Sequence, residues 1–190
     1  MMKSLLIGIA ILAGTGASRA SAAEIELRGG IYSIDKFLDY VMDEHPKVDG
    51  PVYGAAILFG DRGEVVNHRV SLDYASASGE GKWRREKDSG SGKVEFEFAS
   101  LSYAAIFNIM PSWRVNPYIG IGAGVGYGKA SASGNLESTS IGGSTSGKSY
   151  IPVIVVPAGI RVKASDRIAL AVEGGFLDGL YVTGNLRFAF

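Results

Sequence analysis

The chain contains no cysteine, and this absence excludes disulfides, thiol catalysis and cysteine-based metal sites. It has no basic excess either: Lys and Arg total 19, Asp and Glu total 19, so the charge pattern of a nucleic-acid binder is missing. Histidine occurs only twice. We therefore expect no nucleic-acid partner, no cofactor and no metal, and a fold stabilised by packing or by a surrounding membrane.

Long hydrophobic runs are missing as well. The run from Leu5 to Ala13 follows Lys3 and precedes the small residues Ala20-Ser21-Ala22, which is the arrangement of a secretory signal peptide. It is far shorter than the roughly 20 residues of a membrane-spanning helix. The sequence predicts a cleaved signal peptide at residues 1–23 and one mature domain at residues 24–190. This domain is either soluble or crosses a membrane as a closed barrel.

Stretches of alternating polarity, separated by turn residues, predict eight strands in the mature domain. They lie at about residues 24–34, 51–60, 64–76, 93–108, 116–130, 148–163, 167–176 and 180–190. In the fourth stretch, the apolar residues Val94, Phe96 and Phe98 stand at even-numbered positions, whereas those from Leu101 onward stand at odd-numbered positions. This change near Ala99 predicts a β-bulge, which inserts one extra residue into the strand.

The connections between the predicted strands alternate in length. Residues 61–63, 110–115 and 164–166 are short, whereas 35–50, 77–92 and 131–147 are long. The second and third long connections are rich in Gly and Ser and predict solvated loops. The first predicts a short helical turn before Pro46. Short turns at one rim and longer loops at the other are typical of bacterial outer-membrane barrels.

Glycine occupies every second position of the segment NPYIGIGAGVGYGKA, residues 116–130. A phosphate-binding loop is excluded, because Ala123 and Ala130 stand where that motif needs glycine and Ser or Thr. The alternation predicts a strand with a small inward face and a lipid-facing apolar face. We expect its glycines to make room for Arg28, Tyr32 and other large interior residues. The alternative is a flexible low-complexity segment. The inward glycines are Gly120, Gly122, Gly124, Gly126 and Gly128. The lipid-facing residues between them are Ile119, Ile121, Val125 and Tyr127. The other large interior residues are Arg69, Arg161 and Arg187.

Each strand has a continuous apolar face, and its other face carries small and charged residues. This is the reverse of a soluble barrel and predicts an all-β, eight-stranded antiparallel transmembrane β-barrel with short periplasmic turns and longer external loops. A lumen of eight strands is just wide enough for side chains to fill it. We expect a salt-bridged structural plug inside, and the same analysis places Glu95 and Glu97 in the interior. The predicted interior cluster is Glu26, Arg28, Arg69, Arg161, Glu173 and Arg187.

The segment NPYIGIGAGVGYG, the closing hairpin SDRIALAVEGGF…LYVTGNLRFAF and the terminal Phe190 resemble the OmpA-like and OmpW-like eight-stranded outer-membrane β-barrels. The resemblance implies a location in the bacterial outer membrane, in contact with its lipid and with lipopolysaccharide. It also implies delivery by periplasmic chaperones to the barrel-insertion machinery, which reads the aromatic last strand through Leu186, Phe188 and Phe190. We expect a monomer.

Three functions are compatible with such a barrel. The first is a non-enzymatic surface protein whose external loops are available for interaction, the second a narrow, porin-like channel for small or apolar solutes, and the third a lipid A modifying enzyme. Catalysis is disfavoured because His68 and Ser71, three residues apart, fall on opposite faces of one strand. We expect His68 on the outer surface near a rim, and His45 to be a solvated loop residue. We therefore expect no enzyme and no catalytic residues.

Overall fold

The computed structural model describes residues 23–39, 43–60, 63–85, 88–136 and 142–190, so the predicted signal peptide lies outside the described residues except for Ala23. Eight strands pair antiparallel with their sequence neighbours, and β1 also pairs with β8, which closes the barrel. The predicted eight-stranded antiparallel barrel is confirmed. The strands are β1 (Glu24–Ser33), β2 (Asp49–Phe59), β3 (Val66–Arg85), β4 (Asp88–Asn108), β5 (Val115–Leu136), β6 (Gly142–Lys163), β7 (Ile168–Leu177) and β8 (Leu180–Ala189).

The two ends of the barrel differ because the strands differ in length. Strands β3 to β6 have 20 to 22 residues, whereas β1, β2, β7 and β8 have 10 or 11. We call the end with the connections 60–65, 109–114 and 164–167 the turn end. At the opposite end, the hairpin end, β3–β4 and β5–β6 project beyond the other strands as two adjacent, mutually paired hairpins.

The prediction that residues 77–92 and 131–147 form solvated loops is therefore wrong, because most of these residues belong to paired strands. Pairing continues from Ala77↔Phe96 to Arg85↔Asp88, and from Ser131↔Ser146 to Asn135↔Gly142. The projecting part of β5–β6 has solvent near both faces, so its backbone pairing does not require alternating polarity. On β3, Ala77 and Gly79 are buried, and Gly79 lies against Lys47 and Val48 of the first connection. The tips, residues 86–87 and 137–141, lie outside the described residues.

The helical turn predicted in the first long connection is confirmed as α1 (Asp35–Leu38). The Asp35 carboxylate accepts a hydrogen bond from the backbone N–H of Val48 at 2.6 Å, which ties α1 to the start of β2. Leu38 packs against the apolar residues of the lumen. Residues 40–42 lie outside the described residues. Within the described ranges, no helix is long and apolar enough to span a membrane.

The outer surface of the barrel is an apolar band bordered by aromatic residues. Ile119, Ile121 and Val125 of β5 are exposed on it, as predicted. Towards the hairpin end, a row of tyrosines follows the strand register, in which Tyr53 pairs with Tyr74 and Tyr127 with Tyr150, with Ala99 between the pairs. From Pro117 to Tyr127 the apolar face is ~25 Å tall for strands tilted by ~40°, which matches the hydrocarbon layer that outer-membrane barrels span.

The lumen has a polar half and an apolar half. The polar half lies towards the turn end and contains the charged network described below. The apolar half lies towards the hairpin end, where Tyr32, Val52, Phe98, Val153 and Leu177 pack into one buried cluster. The expected plug of small and charged residues therefore occupies only the half of the lumen towards the turn end.

The apolar cluster explains the parity change in β4 without a bulge. Strand β4 keeps an uninterrupted register with β3 and with β5, so the predicted β-bulge is absent there. Instead, Phe98 points into the apolar half of the lumen, and Leu101, only three residues later, points to the outer surface. The same register turns Glu95 and Glu97 outward. Their predicted interior location is wrong, and they pair with exposed lysines on the outside of the hairpins.

The alternating glycines of β5 face inward as predicted, but the structural reason is different from the one expected. They lie against β4, not against the large arginines: a methyl group on Gly122 would overlap the Tyr103 carbonyl oxygen and approach Cα of Ala104 to 2.7 Å. Gly124 meets Cα of Ser102 at the same distance. Two neighbouring backbones therefore approach closely at this corner of a small barrel, and only glycine fits there.

Glycines on other strands make the room that the large interior side chains need. A methyl group on Gly54 would lie 2.7 Å from Nε of Arg28. At Gly159 it would lie 2.7 Å from the Tyr118 hydroxyl. On β5, Gly126 does the same for Phe98, whose ring an added methyl group would overlap. The prediction that inward glycines accommodate large interior groups is thus confirmed on β2, β5 and β6, although Gly122 and Gly124 serve the close approach to β4 instead.

We predict that Gly122→Ala destabilises the barrel by about 1–3 kcal/mol, because the added methyl group meets backbone atoms that cannot rotate away. Gly128→Ala is the matched control on the same face, since its nearest neighbouring atom would be 3.8 Å away. Urea unfolding in lipid vesicles measures both. Equal stability of the two variants would contradict the close approach of β4 and β5.

Candidate functional site

The polar half of the lumen is organised around one carboxylate, that of Glu173 on β7. Its Oε2 accepts hydrogen bonds from Nη1 of Arg69 at 2.6 Å and from the Tyr118 hydroxyl at 2.8 Å. Its Oε1 accepts one from the Tyr181 hydroxyl at 2.8 Å and lies 3.5 Å from Nη1 of Arg28. Glu173 is fully buried. One side chain therefore links β7 to β1, β3, β5 and β8.

Two further ion pairs surround this centre. Arg28 donates through two nitrogens to Asp73, a bidentate arrangement that fixes both side chains. Arg187 donates through Nε to Glu26, whose other oxygen lies 3.5 Å from Arg69. All of these groups are buried. The described contacts thus join five of the six predicted cluster residues, Glu26, Arg28, Arg69, Glu173 and Arg187, in one network.

Arg161, the sixth, lies apart from this network and nearer the turn end. Its guanidinium donates to Oδ1 of Asn108 at 2.5 Å, and its distance to the Glu24 carboxylate is 3.9 Å. Asn108 also accepts from Asn116 at 2.8 Å and donates to Asn67 at 2.5 Å. A layer of amides therefore borders the network on the side of the turns.

Sequence reasoning missed several members of the site. Asp73, the partner of Arg28, is absent from the predicted interior cluster. Tyr118 and Tyr181 are absent from it as well, and residue type alone does not place a tyrosine inside, because aromatic residues also border the apolar band of membrane barrels. The available signal was parity: all three occupy the inward positions of their strands.

Above the apolar half, the hairpin end carries an open apolar cleft of about 520 Å³. It is lined by Leu38 and Pro46 from the first connection, by Trp83 of β3, by Val94 of β4 and by Ala132 of β5. Trp83, Val94 and Ala132 have the inward parity of their strands, so the cleft lies on the lumen side of the hairpins, beyond the row of tyrosines. Its lining is largely apolar.

The two histidines have different environments. The His45 side chain is only 10% exposed and lines the cleft, so the expectation of a solvated residue is wrong. Burial opposes its protonation, but hydrogen bonds to the Pro46 carbonyl and to Asp39 outweigh burial and raise the pKa of the imidazole. His68 lies on the outer surface, where it stacks on Tyr103, whereas Ser71 points into the lumen.

The residues predicted to form the assembly signal lie on the last strand and beyond it. Leu186 and Phe188 are half-buried on the outward face of β8, and Phe190 is 81% exposed at its end. The strand thus presents an outward aromatic terminus at the turn end.

Comparison with known proteins identifies the fold. No protein-family model matches the chain, and no curated protein matches its sequence. Neisserial surface protein A (NspA) superposes with a TM-score of 0.54 at 11% identity, over 89% of this chain and 97% of that one. The fold is that of an eight-stranded outer-membrane barrel, as the resemblance to OmpA-like proteins implied.

Two further solved structures are similar at lower TM-scores. The N-terminal β-barrel domain of Pseudomonas aeruginosa OprF has a TM-score of 0.44 and 18% identity, and covers 90% of this chain and 98% of its own. The attachment invasion locus protein Ail of Yersinia pestis has a TM-score of 0.44 and 16% identity, and covers 90% of this chain and 100% of its own.

We predict that Glu173→Gln destabilises the folded barrel by about 3–5 kcal/mol, because it leaves two buried guanidinium groups without their shared countercharge. Glu97→Gln removes the same charge from the outer surface, 3.9 Å from Lys129, and we expect it to be nearly silent. Urea unfolding in lipid vesicles measures the free energy of unfolding of both variants. A Glu173→Gln barrel as stable as the Glu97→Gln barrel would show that the network does not hold the strands together.

Proposed function

We propose that this chain is a non-enzymatic bacterial outer-membrane protein with a closed lumen, and that it acts through the surface of its hairpin end. The observation that carries the proposal is the filling of the lumen by two successive layers. The charged network around Glu173 occupies one half, and the apolar cluster around Phe98 occupies the other. Such a barrel serves as a rigid support for what it displays.

The outer surface supports the proposed location. An apolar band of membrane height, bordered by paired tyrosines, is the surface that a lipid bilayer covers. Lys93, Glu95, Glu97 and Lys129 all lie on the outside of the hairpins beyond that border, where water and lipid headgroups replace hydrocarbon. We infer that outer-membrane lipid and lipopolysaccharide surround the barrel. We also infer that periplasmic chaperones and the insertion machinery recognise the terminal aromatic strand, and that the barrel is monomeric.

The hairpin end offers a defined surface for interaction. The cleft lined by Leu38, Trp83 and Val94 is apolar and open, and the long hairpins hold it beyond the membrane border. The part of its lining that β5 contributes includes small residues, such as Ala132 and Gly134. Small side chains leave the β5 backbone accessible to a bound group. We propose that this cleft accepts an apolar group of an external molecule.

The two alternative functions find less support. An acid–base or acyl-transfer site needs a histidine close to a nucleophile, but His68 and Ser71 lie on opposite sides of the barrel wall, and His45 bonds to Asp39 and to a backbone carbonyl. A channel needs a continuous path through the lumen. The cavity at the turn end, about 370 Å³, is bounded on its inner side by Arg161 and Arg187 and does not include the residues of the apolar cluster.

We predict that the protein, purified from the outer-membrane fraction where we expect it, inserts into planar bilayers without single-channel steps. Arg161→Ala should remain silent, because the layers around Glu173 and Phe98 still close the lumen. Heat-modifiable gel mobility is the control that the inserted protein is folded. Steady large conductance of the unmodified protein would overturn the closed lumen, and steps that grow in Arg161→Ala would indicate a gated pore.

A further inference from the structure

The buried charges of the lumen do not balance. Among the described residues, the lumen buries four arginines, Arg28, Arg69, Arg161 and Arg187, against the three carboxylates of Glu26, Asp73 and Glu173. Each carboxylate has a close arginine partner: Arg28 pairs with Asp73, Arg69 with Glu173, and Arg187 with Glu26.

Arg161 is the arginine outside this pairing. Its nearest carboxylate among the described residues is that of Glu24, at 3.9 Å, and its short hydrogen bond goes to a neutral amide. This ion pair is longer than the three close pairs above, and its carboxylate is 17% exposed, so Arg161 is the buried arginine whose charge is neutralised least.

The excess charge borders a cavity. The cavity of about 370 Å³ at the turn end is lined by both Arg161 and Arg187. Its rim carries three more cations, Arg114, Lys163 and Arg167. Three acidic residues, Glu24, Glu64 and Asp166, also line it, so the cavity has five cationic side chains and three acidic ones.

The two arginines that line the inner part of the cavity carry buried donors without a partner in the described part of the chain. Arg187 is 1% exposed, and neither its Nη1 nor its Nη2 has a hydrogen-bond partner among the described residues. Nε of Arg161 has none either. Buried donors without a partner destabilise a folded protein, so they indicate a missing acceptor. A guanidinium fork matches the geometry of phosphate and carboxylate oxygens, and it binds them through parallel hydrogen bonds.

We propose that the turn end of the lumen is a binding site for a small oxyanion of the phosphate type, held by Arg161 and Arg187. The anion supplies the acceptor oxygens that these donors lack and neutralises the excess buried charge. It enters from the turn end, because the Glu173 network closes the other side. The site does not depend on the surface function proposed above, since it faces the opposite side of the membrane.

The direct test is calorimetric titration of inorganic phosphate into the protein, folded in a non-ionic detergent that contains no phosphate. We expect saturable binding by the unmodified barrel and binding weaker by about tenfold or more in Arg161→Met, since at least one charge-assisted hydrogen bond is lost. Lys129→Met is the matched control, because it removes the same charge from the outside of the hairpin end. Equal binding by all three proteins, or no binding by the unmodified one, would overturn the proposal.

A second measurement needs no variant at the site and so does not depend on the folding of Arg161→Met. In the unmodified protein labelled with nitrogen-15 at arginine, phosphate should shift the Nε–Hε resonances of buried arginines, whereas the same concentration of chloride should not. A spectrum unchanged by phosphate would overturn the site.

Two sources of the same chemistry remain to be distinguished, a soluble phosphate compound and the headgroup of a lipid in the adjacent leaflet. Glycerol phosphate and a short-chain phosphatidylglycerol carry a comparable phosphate with and without acyl chains. Tighter binding of the lipid would support the site with a membrane source, and equal binding would support it with a soluble source. In either arm, an affinity unchanged by Arg161→Met would overturn it.

Discussion

The structure depends on one buried carboxylate. Glu173 accepts hydrogen bonds from Arg69, Tyr118 and Tyr181 and also faces Arg28, so that four other strands converge on β7. A barrel closed only by backbone ladders is free to change its cross-section by small shifts of register and tilt. A shared acceptor at its centre fixes the distances across the lumen, because each partner strand must bring its donor to the same two oxygens. Two of the inward glycines are explained by this constraint, because Gly54 and Gly159 leave space where Arg28 and Tyr118 cross the lumen.

The division of the lumen into halves follows from what surrounds each half. Where hydrocarbon surrounds the wall, the interior need not supply a hydrophobic core, and polar side chains pair with one another instead. Towards the hairpin end the strands leave the membrane, and the apolar cluster around Phe98 takes over the packing role that lipid has below. The apolar face of β4 therefore changes sides between Phe98 and Leu101, while the strand itself continues in register.

Much of this architecture could be predicted from the sequence, because lipid-facing strands carry a period of two that any membrane barrel must keep. The eight strands, the inward faces of most of them and five of the eight network residues follow from that period. The projecting parts of β3 to β6 do not. On β5 and β6 both faces meet solvent there, and on β3 the inner face is covered by Pro46, Lys47 and Val48, whose position the period of β3 does not reveal. The bulge expected near Ala99 came from assuming a single environment along β4. The missed pairing of Asp73 with Arg28 has another cause, because parity places a residue on a face but does not select its partner across the lumen.

The central claim is that Glu173 and its partners act as one unit that closes the barrel. A double-mutant cycle between Glu173→Gln and Arg69→Met, measured by urea unfolding in lipid vesicles, tests it most directly. Residues that share a buried network show coupling free energies of about 0.5–3 kcal/mol, and this pair should lie at the upper end of that range. Additive effects of the two substitutions, within about 0.5 kcal/mol, would contradict the claim, because they would mean that each side chain stabilises the barrel independently of the other.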